Sequence, residues 1–403
     1  MTVPDDIPRL ISVDDHVFEP PDLWQSRLAA RYRERGPRLV RRRLRRAGRG
    51  KGGAYDGWVE DDEGTWGDVW LYEDLMMPLL QGFAAVGSQK KGFDCLTFDE
   101  IVPGAWVQKA RLADMDVNHV EAALCFPNTL PRFCGQTFFE GSDHELAMAC
   151  IRAYNDWLLD DWGAGAGKGR LLGAALIPLW DPDRAAAEIR RCACLGAVAV
   201  TFPENPVPLG LPSLHHPSRY WDPVFAACQE TGSVLCMHIG SSSSMPSTGP
   251  DAPFAVSGVL TFINAVGSVV DFIHSATLER FPGLKISYSE AQFGWMPFLM
   301  ERADKLWART YSKVPNPPST YIPGRVFGCI FDDETALRMR NAIGIDQICF
   351  ETDYPHIDST FPHSRKVLFE IATGAGLDDQ ELYKVARGNA IAAFGLSRFG
   401  ITA

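Results

Sequence analysis

Eight short apolar runs, most separated from the next by a helical pattern, constrain this chain more than any other feature. They lie at 9–17 (RLISVDDHV), 120–127 (VEAALCFP), 170–179, 195–203, 233–240, 284–290, 326–333 and 346–355. Many are β-branched and apolar throughout, as strands covered on both faces are. Helical spacing of apolar residues stands between neighbours, as in DRAAAEIRRCAC before the fourth run and WDPVFAACQETG before the fifth. Strands alternating with helices form a parallel sheet, and eight of them predict a closed (β/α)8 TIM barrel of the α/β class. The competing open, doubly wound sheet lacks its glycine-rich turn after the first strand. The chain therefore reads as one barrel over 1–403. A long insertion at 22–110 parts the first strand from its helix.

Composition excludes several classes. Lys and Arg total 39 against 50 Asp and Glu, a net charge of −11 in 403 residues. That balance argues against nucleic acid, whose phosphates want a basic face. No run approaching 18 apolar residues stands out, so no membrane span is expected. The acidic start MTVPDDIPRLISVDDH does not read as an export signal. Ten scattered cysteines contain no CxxC pair, and they read as reduced core thiols of a cytoplasmic protein.

Two segments break the repeat. The insertion carries RLVRRRLRRAGRGKGG (38–53), then the acidic, aromatic EDDEGTWGDVWLYED (60–74). The basic run reads as a solvated loop or helix face, with charge pairing to the acidic stretch favoured over an anionic-substrate or RNA patch. The loop GSSSSMPSTGPDAP (240–253) directly follows the fifth strand. Both segments are expected over the barrel mouth, as lid or substrate-contacting elements.

Ionisable residues at the ends of apolar strands carry the chemistry. In SVDDHVFEP, alternation along a strand sends Asp14 and His16 to one face and Asp15 to the other, with Glu19 able to reach back. His238 closes the fifth strand (LCMHIG), Glu290 the sixth (ISYSE), and Asp353 follows the eighth (FETDYPH). Strand ends one, five, six and eight of a barrel converge on one mouth. Two imidazoles with two or three carboxylates suit Zn²⁺, Mn²⁺ or Fe²⁺. Arg132, after the second strand, is a candidate clamp for a substrate carboxylate. His356 is a candidate pocket or supporting residue, and His216, beside His215, a candidate substrate contact. Trp180 and Phe202 are read as pocket wall or core, and His274 as structural.

On VDDHVFEPPDLW (13–24), CFPNTLPRFCG (125–135), LCMHIGSSS (235–243), LERFPGLKISYSEAQFGWMPFLMERAD (278–304) and ETDYPHIDSTFP (351–362), the chain resembles the amidohydrolase superfamily. The branch is the one that includes aminocarboxymuconate-semialdehyde, γ-resorcylate and carboxyvanillate decarboxylases. The resemblance implies a (β/α)8 barrel with one divalent metal at the strand ends. Position by position, it places metal ligands at Asp14, His16, His238 and Asp353. It also implies a histidine at the end of strand six, where this chain has Glu290.

Two reactions share such a site. Hydrolysis of an amide, lactone or related bond would use metal-bound water, with Asp353 as ligand and general base. Non-oxidative decarboxylation of an aromatic or unsaturated acid would use Asp353 or Glu290 to manage a proton. Glu290 in place of histidine favours hydrolysis at this stage. A metal-free, non-catalytic ligand-binding barrel is the third reading. Zinc leads as the expected ion, the partner is a small-molecule substrate, and the resemblance implies a homodimer.

Overall fold

A computed structural model describes residues 4, 7–48, 57–88, 92–249, 251–310 and 314–402. All eight expected strands form. In chain order they are β1 (Leu10–Val17), β6 (Val120–Pro127), β7 (Leu171–Ala175), β8 (Ala199–Thr201), β9 (Val234–His238), β10 (Ile286–Ser289), β11 (Val326–Ile330) and β12 (Ile348–Phe350). Between them the insertion supplies β2 (Arg38–Arg46), β3 (Trp58–Glu60), β4 (Thr65–Tyr72) and β5 (Leu75–Pro78). The eight strands pair in parallel and close into a barrel, with β1 between β12 and β6. Helices such as Pro182–Cys194 and Asp222–Thr231 connect successive strands. This is the (β/α)8 barrel with an insertion after its first strand.

Burial follows the pleat. Ile11 and Val13 of β1 pack with Leu124, Phe126 and Cys236, and the C-terminal residues Ile391 and Phe394 pack against that group. Leu10 and Val17 belong to the larger core that includes the helices. Opposite β6, the register of β1 shifts between Ser12 and Asp15. Such a bulge re-aims side chains. Beyond it Asp14 and His16 share a cluster, while Ser12 hydrogen-bonds Asp15 at 2.9 Å.

The insertion corrects one expectation. The basic run is neither loop nor helix face. Arg38–Arg46 is β2, second in an antiparallel sheet of order β3-β2-β4-β5, and 49–53 lie outside the described residues. The strand forms because its arginines meet acidic partners across the sheet. Arg41 forks onto Asp68 with two 2.9 Å bonds, Arg42 reaches Glu60 at 3.2 Å, and Arg45 reaches Asp61 at 2.5 Å. Trp70 of β4 meets Trp24 edge-on at 5.1 Å, which seats the sheet on the barrel. The following stretch donates Ala85 N–H to Pro355 O, and Gly82 O accepts from Ile357 N–H, so it is pinned to the loop after β12.

A second difference concerns 255–274. Ala255–His274 is, by length and composition, helical and apolar enough to cross a membrane, with 28% of its apolar window buried. Ser, Thr, Gly and Asn interrupt the apolar run, and Asp271 is its single acidic or basic residue apart from His274. Ala265, Val269, Phe272 and Ile273 of Ile263–His274 are nevertheless buried at helical spacing, as in a barrel-ring helix. The C-terminal helical stretch ends at Gly395 with φ 62°, the expected stop.

Candidate metal centre

The strand ends meet. His16 Nε2 lies 3.1 Å from His238 Nε2, 3.6 Å from Asp14 Oδ1 and 3.6 Å from Asp353 Oδ1. His238 Nε2 lies 3.5 Å from Asp14 Oδ2 and 3.0 Å from Glu290 Oε1. Glu290 and Asp353 both adopt left-handed backbone, with φ 56° and 49°. Such conformations cost energy in non-glycine residues and cluster at functional sites. Backbone bonds hold the seam, with Asp353 N–H donating to Asp14 O and His16 N–H to Tyr354 O.

The ring nitrogens carry the strongest statement. His16 Nδ1 faces Pro127 O at 3.1 Å, and His238 Nδ1 faces Ile239 O at 2.7 Å. A carbonyl only accepts, so each Nδ1 carries a proton, and each Nε2 is left to bind a cation or a second proton. Two such nitrogens 3.1 Å apart, ringed by buried carboxylates, call for a positive charge among them. Neither Asp14 oxygen, nor Asp353 Oδ1, meets a hydrogen-bond donor in good geometry among the described residues. The residues present therefore fit a divalent ion.

The electrostatics agree. Burial, then Glu351, Glu290 and Asp15, push the Asp14 carboxyl well above the usual aspartate range. Burial, Glu290 and Asp14 do the same to Asp353. Burial drives His16 well below the usual histidine value, which keeps it a neutral ligand. Burial also opposes charge on Glu290, but attraction to His238 and hydrogen bonding to the imidazoles outweigh it and hold that carboxyl well below its usual range. A dication would let all three carboxylates ionise together.

His356 completes the centre. Its ring stacks on His16 with centroids 3.7 Å apart, and Nδ1 lies 3.2 Å from Glu290 Oε1 and 3.0 Å from Asp353 Oδ1. Its Nε2 is buried and has no partner among the described residues. The residue lines a cavity of about 1550 Å³, together with Glu290, Asp353, Arg132 and Phe133. Phe133 stacks on His238 at 4.0 Å. Arg132 is held by Glu140 at 2.8 Å and Ser243 at 2.5 Å.

Other candidates lie elsewhere. Glu19 takes backbone N–H bonds from Asn128 (2.9 Å) and Thr129 (3.2 Å), which fixes the start of the loop after β6. Burial still pushes it up to about 7. It stands in no group of converging ligand atoms among the described residues. His216 is exposed and bonds Ser218 at 2.7 Å. Trp180 stacks on His144 at 4.5 Å, and Phe202 is core against Trp221. None of these three lines the cavity.

Three buried ionisable residues around the centre escaped the sequence reading. Glu351 groups with Asp14 and Cys329, its Oε2 2.7 Å from Cys329 Sγ, and burial pushes it up to about 8. Its signal was present, because Glu351 and Asp353 are two residues apart, as Asp14 and His16 are. Arg111 is fully buried, donates to His16 O, and lies 3.6 Å from Asp15. Glu204, after β8, is buried and pushed up to about 8. Neither Arg111 nor Glu204 lies in a pattern that marks it.

Comparison with known proteins adds the family. Residues 98–396 match a family model described as amidohydrolase. No curated protein matches the chain. Among solved structures, an amidohydrolase from Mycobacterium avium subsp. paratuberculosis K-10 is 22% identical with TM-score 0.70, over 96% of this chain and 99% of that one. A 5-carboxyvanillate decarboxylase from Sphingomonas paucimobilis is 24% identical with TM-score 0.55, over 71% of this chain and 82% of that one. A dihydroxybenzoic acid decarboxylase from Polaromonas sp. JS666, with bound manganese and the inhibitor 2-nitroresorcinol, is 16% identical with TM-score 0.59, over 97% and 98%. These likenesses show the fold.

Proposed function

Because this chain belongs to the amidohydrolase family, we propose that it is a metal-dependent carboxy-lyase acting on a hydroxylated aromatic or unsaturated carboxylic acid. The observation that carries this reading is His356. The expectation of hydrolysis rested on the loss of an imidazole at position 290. His356 brings an imidazole to the cluster from the loop after β12, within 3.2 Å of Glu290 and 3.0 Å of Asp353. The two structural relatives described as decarboxylases, one of them with manganese, support the same direction and favour manganese over zinc.

Asp14, His16, His238 and Asp353 would hold the ion, which would supply a Lewis-acid anchor for the substrate's carboxylate and neighbouring hydroxyl. Arg132 offers its guanidinium to a further anionic group at the mouth. His356, between Glu290 and Asp353, holds the proton. As the carbon–carboxylate bond breaks, its electron pair remains on the ring or vinyl carbon. That carbon takes the proton from His356, carbon dioxide departs, and solvent reprotonates His356. Phe83 and Phe133 shield that carbon from water.

The test is turnover by manganese-loaded protein in D₂O, on hydroxybenzoates and muconate-type acids beside lactones and anilides. Carbon dioxide release with one deuterium on the product carbon is expected. Oxygen-18 from water entering a cleaved lactone or anilide, with no carbon dioxide, would restore hydrolysis on the same cluster. No turnover and no stoichiometric ion would leave a ligand-binding barrel.

A further inference from the structure

The cavity is far larger than a one-ring acid requires. A space of about 150 Å³ holds benzene, and pockets for drug-sized ligands run roughly 300–1,000 Å³. This one measures about 1550 Å³. It runs from Glu290, Asp353 and His356 to the helix Phe254–Leu260, and its wall is mostly apolar, with Phe83, Phe133, Met245, Val259, Phe262 and Trp295 along it. Among the charged groups on the wall, Asp332 accepts from Gln292, Asp333 accepts from the backbone of Phe293 and Gly294, and Arg132, the proposed clamp, is braced by Glu140, while Arg46, Asp94, Glu334 and Asp358 line it as well. The far end opens to solvent at an apolar residue, since Val259 lines the cavity and is 71% exposed.

We infer that the substrate is an amphiphile, a small acidic head attached to a long alkyl or multi-ring hydrophobic body that lies along this cavity toward Val259. The head rests on the proposed function above; the body rests on the cavity alone. Ala255, Ser257, Gly258, Val259, Thr261 and Phe262, which line the cavity, then set specificity for the body. Gly258 is the informative position there: it lines the cavity at an exposed helix position, and a Cβ built on it meets no atom within 4 Å, so the backbone there has room for a side chain.

The test is calorimetric binding of 2-hydroxybenzoates to the full-length, manganese-loaded protein, each ligand below its own aggregation concentration. The series carries methyl, heptyl and pentadecyl groups at ring position 6. Affinity is expected to rise at least tenfold from methyl to heptyl, since each fully buried methylene contributes about fourfold. Gly258→Trp is expected to erase that gain to within threefold and to leave the methyl compound's affinity unchanged. Val259→Asp, at an exposed position, is expected to weaken the pentadecyl compound most. Equal affinity for methyl and heptyl, or a heptyl gain that survives Gly258→Trp, would overturn the inference. Carbon dioxide is measured in parallel. Chain-length-dependent binding without carbon dioxide release removes the decarboxylase reading and leaves the hydrophobic cavity standing.

Discussion

On the proposed reading, a single imidazole carries the proton chemistry of the centre. His356 touches Glu290 and Asp353 and keeps one ring nitrogen unpartnered beside the cavity. His356→Asn is expected to lower kcat by about 10²–10⁴, the usual worth of a general acid, with bound metal unchanged at one ion per chain. Loss of the ion in this variant, measured by elemental analysis, would make His356 a ligand instead. Glu204 gives a pH signature. Burial pushes its carboxyl up to about 8 from the ordinary glutamate value of about 4.5. Between those values the folded chain holds a proton that the unfolded chain has released. Stability therefore falls as pH rises through that window. Glu204→Gln is expected to flatten denaturation midpoints between pH 5 and 8, and an unchanged slope would contradict it.

At the scale of elements, the site is made by where strands end and by one irregularity. Strict alternation along β1 would put Val13 and Asp15 on the face of Ile11. The bulge between Ser12 and Asp15 lets Ile11 and Val13 fill the core and still turns Asp14 and His16 to the cluster. Spacing predicts that Asp14 and His16 share a face, but not that a bulge sets which face it is. The insertion sheet is tied in through Asp68, whose side chain is 7% exposed and accepts from Arg41 twice and from Phe98 N–H. Burial opposes its charge, but the Arg41 bonds and the Phe98 N–H outweigh that and hold the carboxyl below the usual range. Its contribution is thus complete above the unfolded value of about 3.9 and is lost as pH falls through the folded one. Asp68→Ala leaves a buried N–H unpaired and is expected to cost about 1–3 kcal/mol. Proteolysis within 57–100 should quicken before the barrel is cut. Unaltered cleavage there would mean that the sheet is held by its aromatic seat alone.

Across the whole molecule, the barrel was legible because parallel strands covered on both faces must be apolar, eight such runs suit a closed barrel, and the glycine-rich turn of the competing open sheet is missing. The ligands were legible because a charge ending an apolar strand requires a partner. What the sequence hid was set by distant approach. Glu19 lies just past β1, yet the loop after β6 takes up its oxygens. Trp180 and Phe202 end strand-like runs, yet neighbouring helices and loops draw them into packing away from the cavity. For Arg38–Arg46 the pairing with the acidic stretch was legible, but the strand that makes it was not, because the partners face each other only across the sheet. The account stands on one ion shared by four strand ends. Anomalous diffraction at the manganese edge, on crystals of manganese-loaded protein, tests it most directly. A single peak is predicted roughly 2.0–2.2 Å from His16 Nε2, His238 Nε2 and carboxylate oxygens of Asp14 and Asp353. No peak among these atoms, or a peak held by other residues, would contradict it.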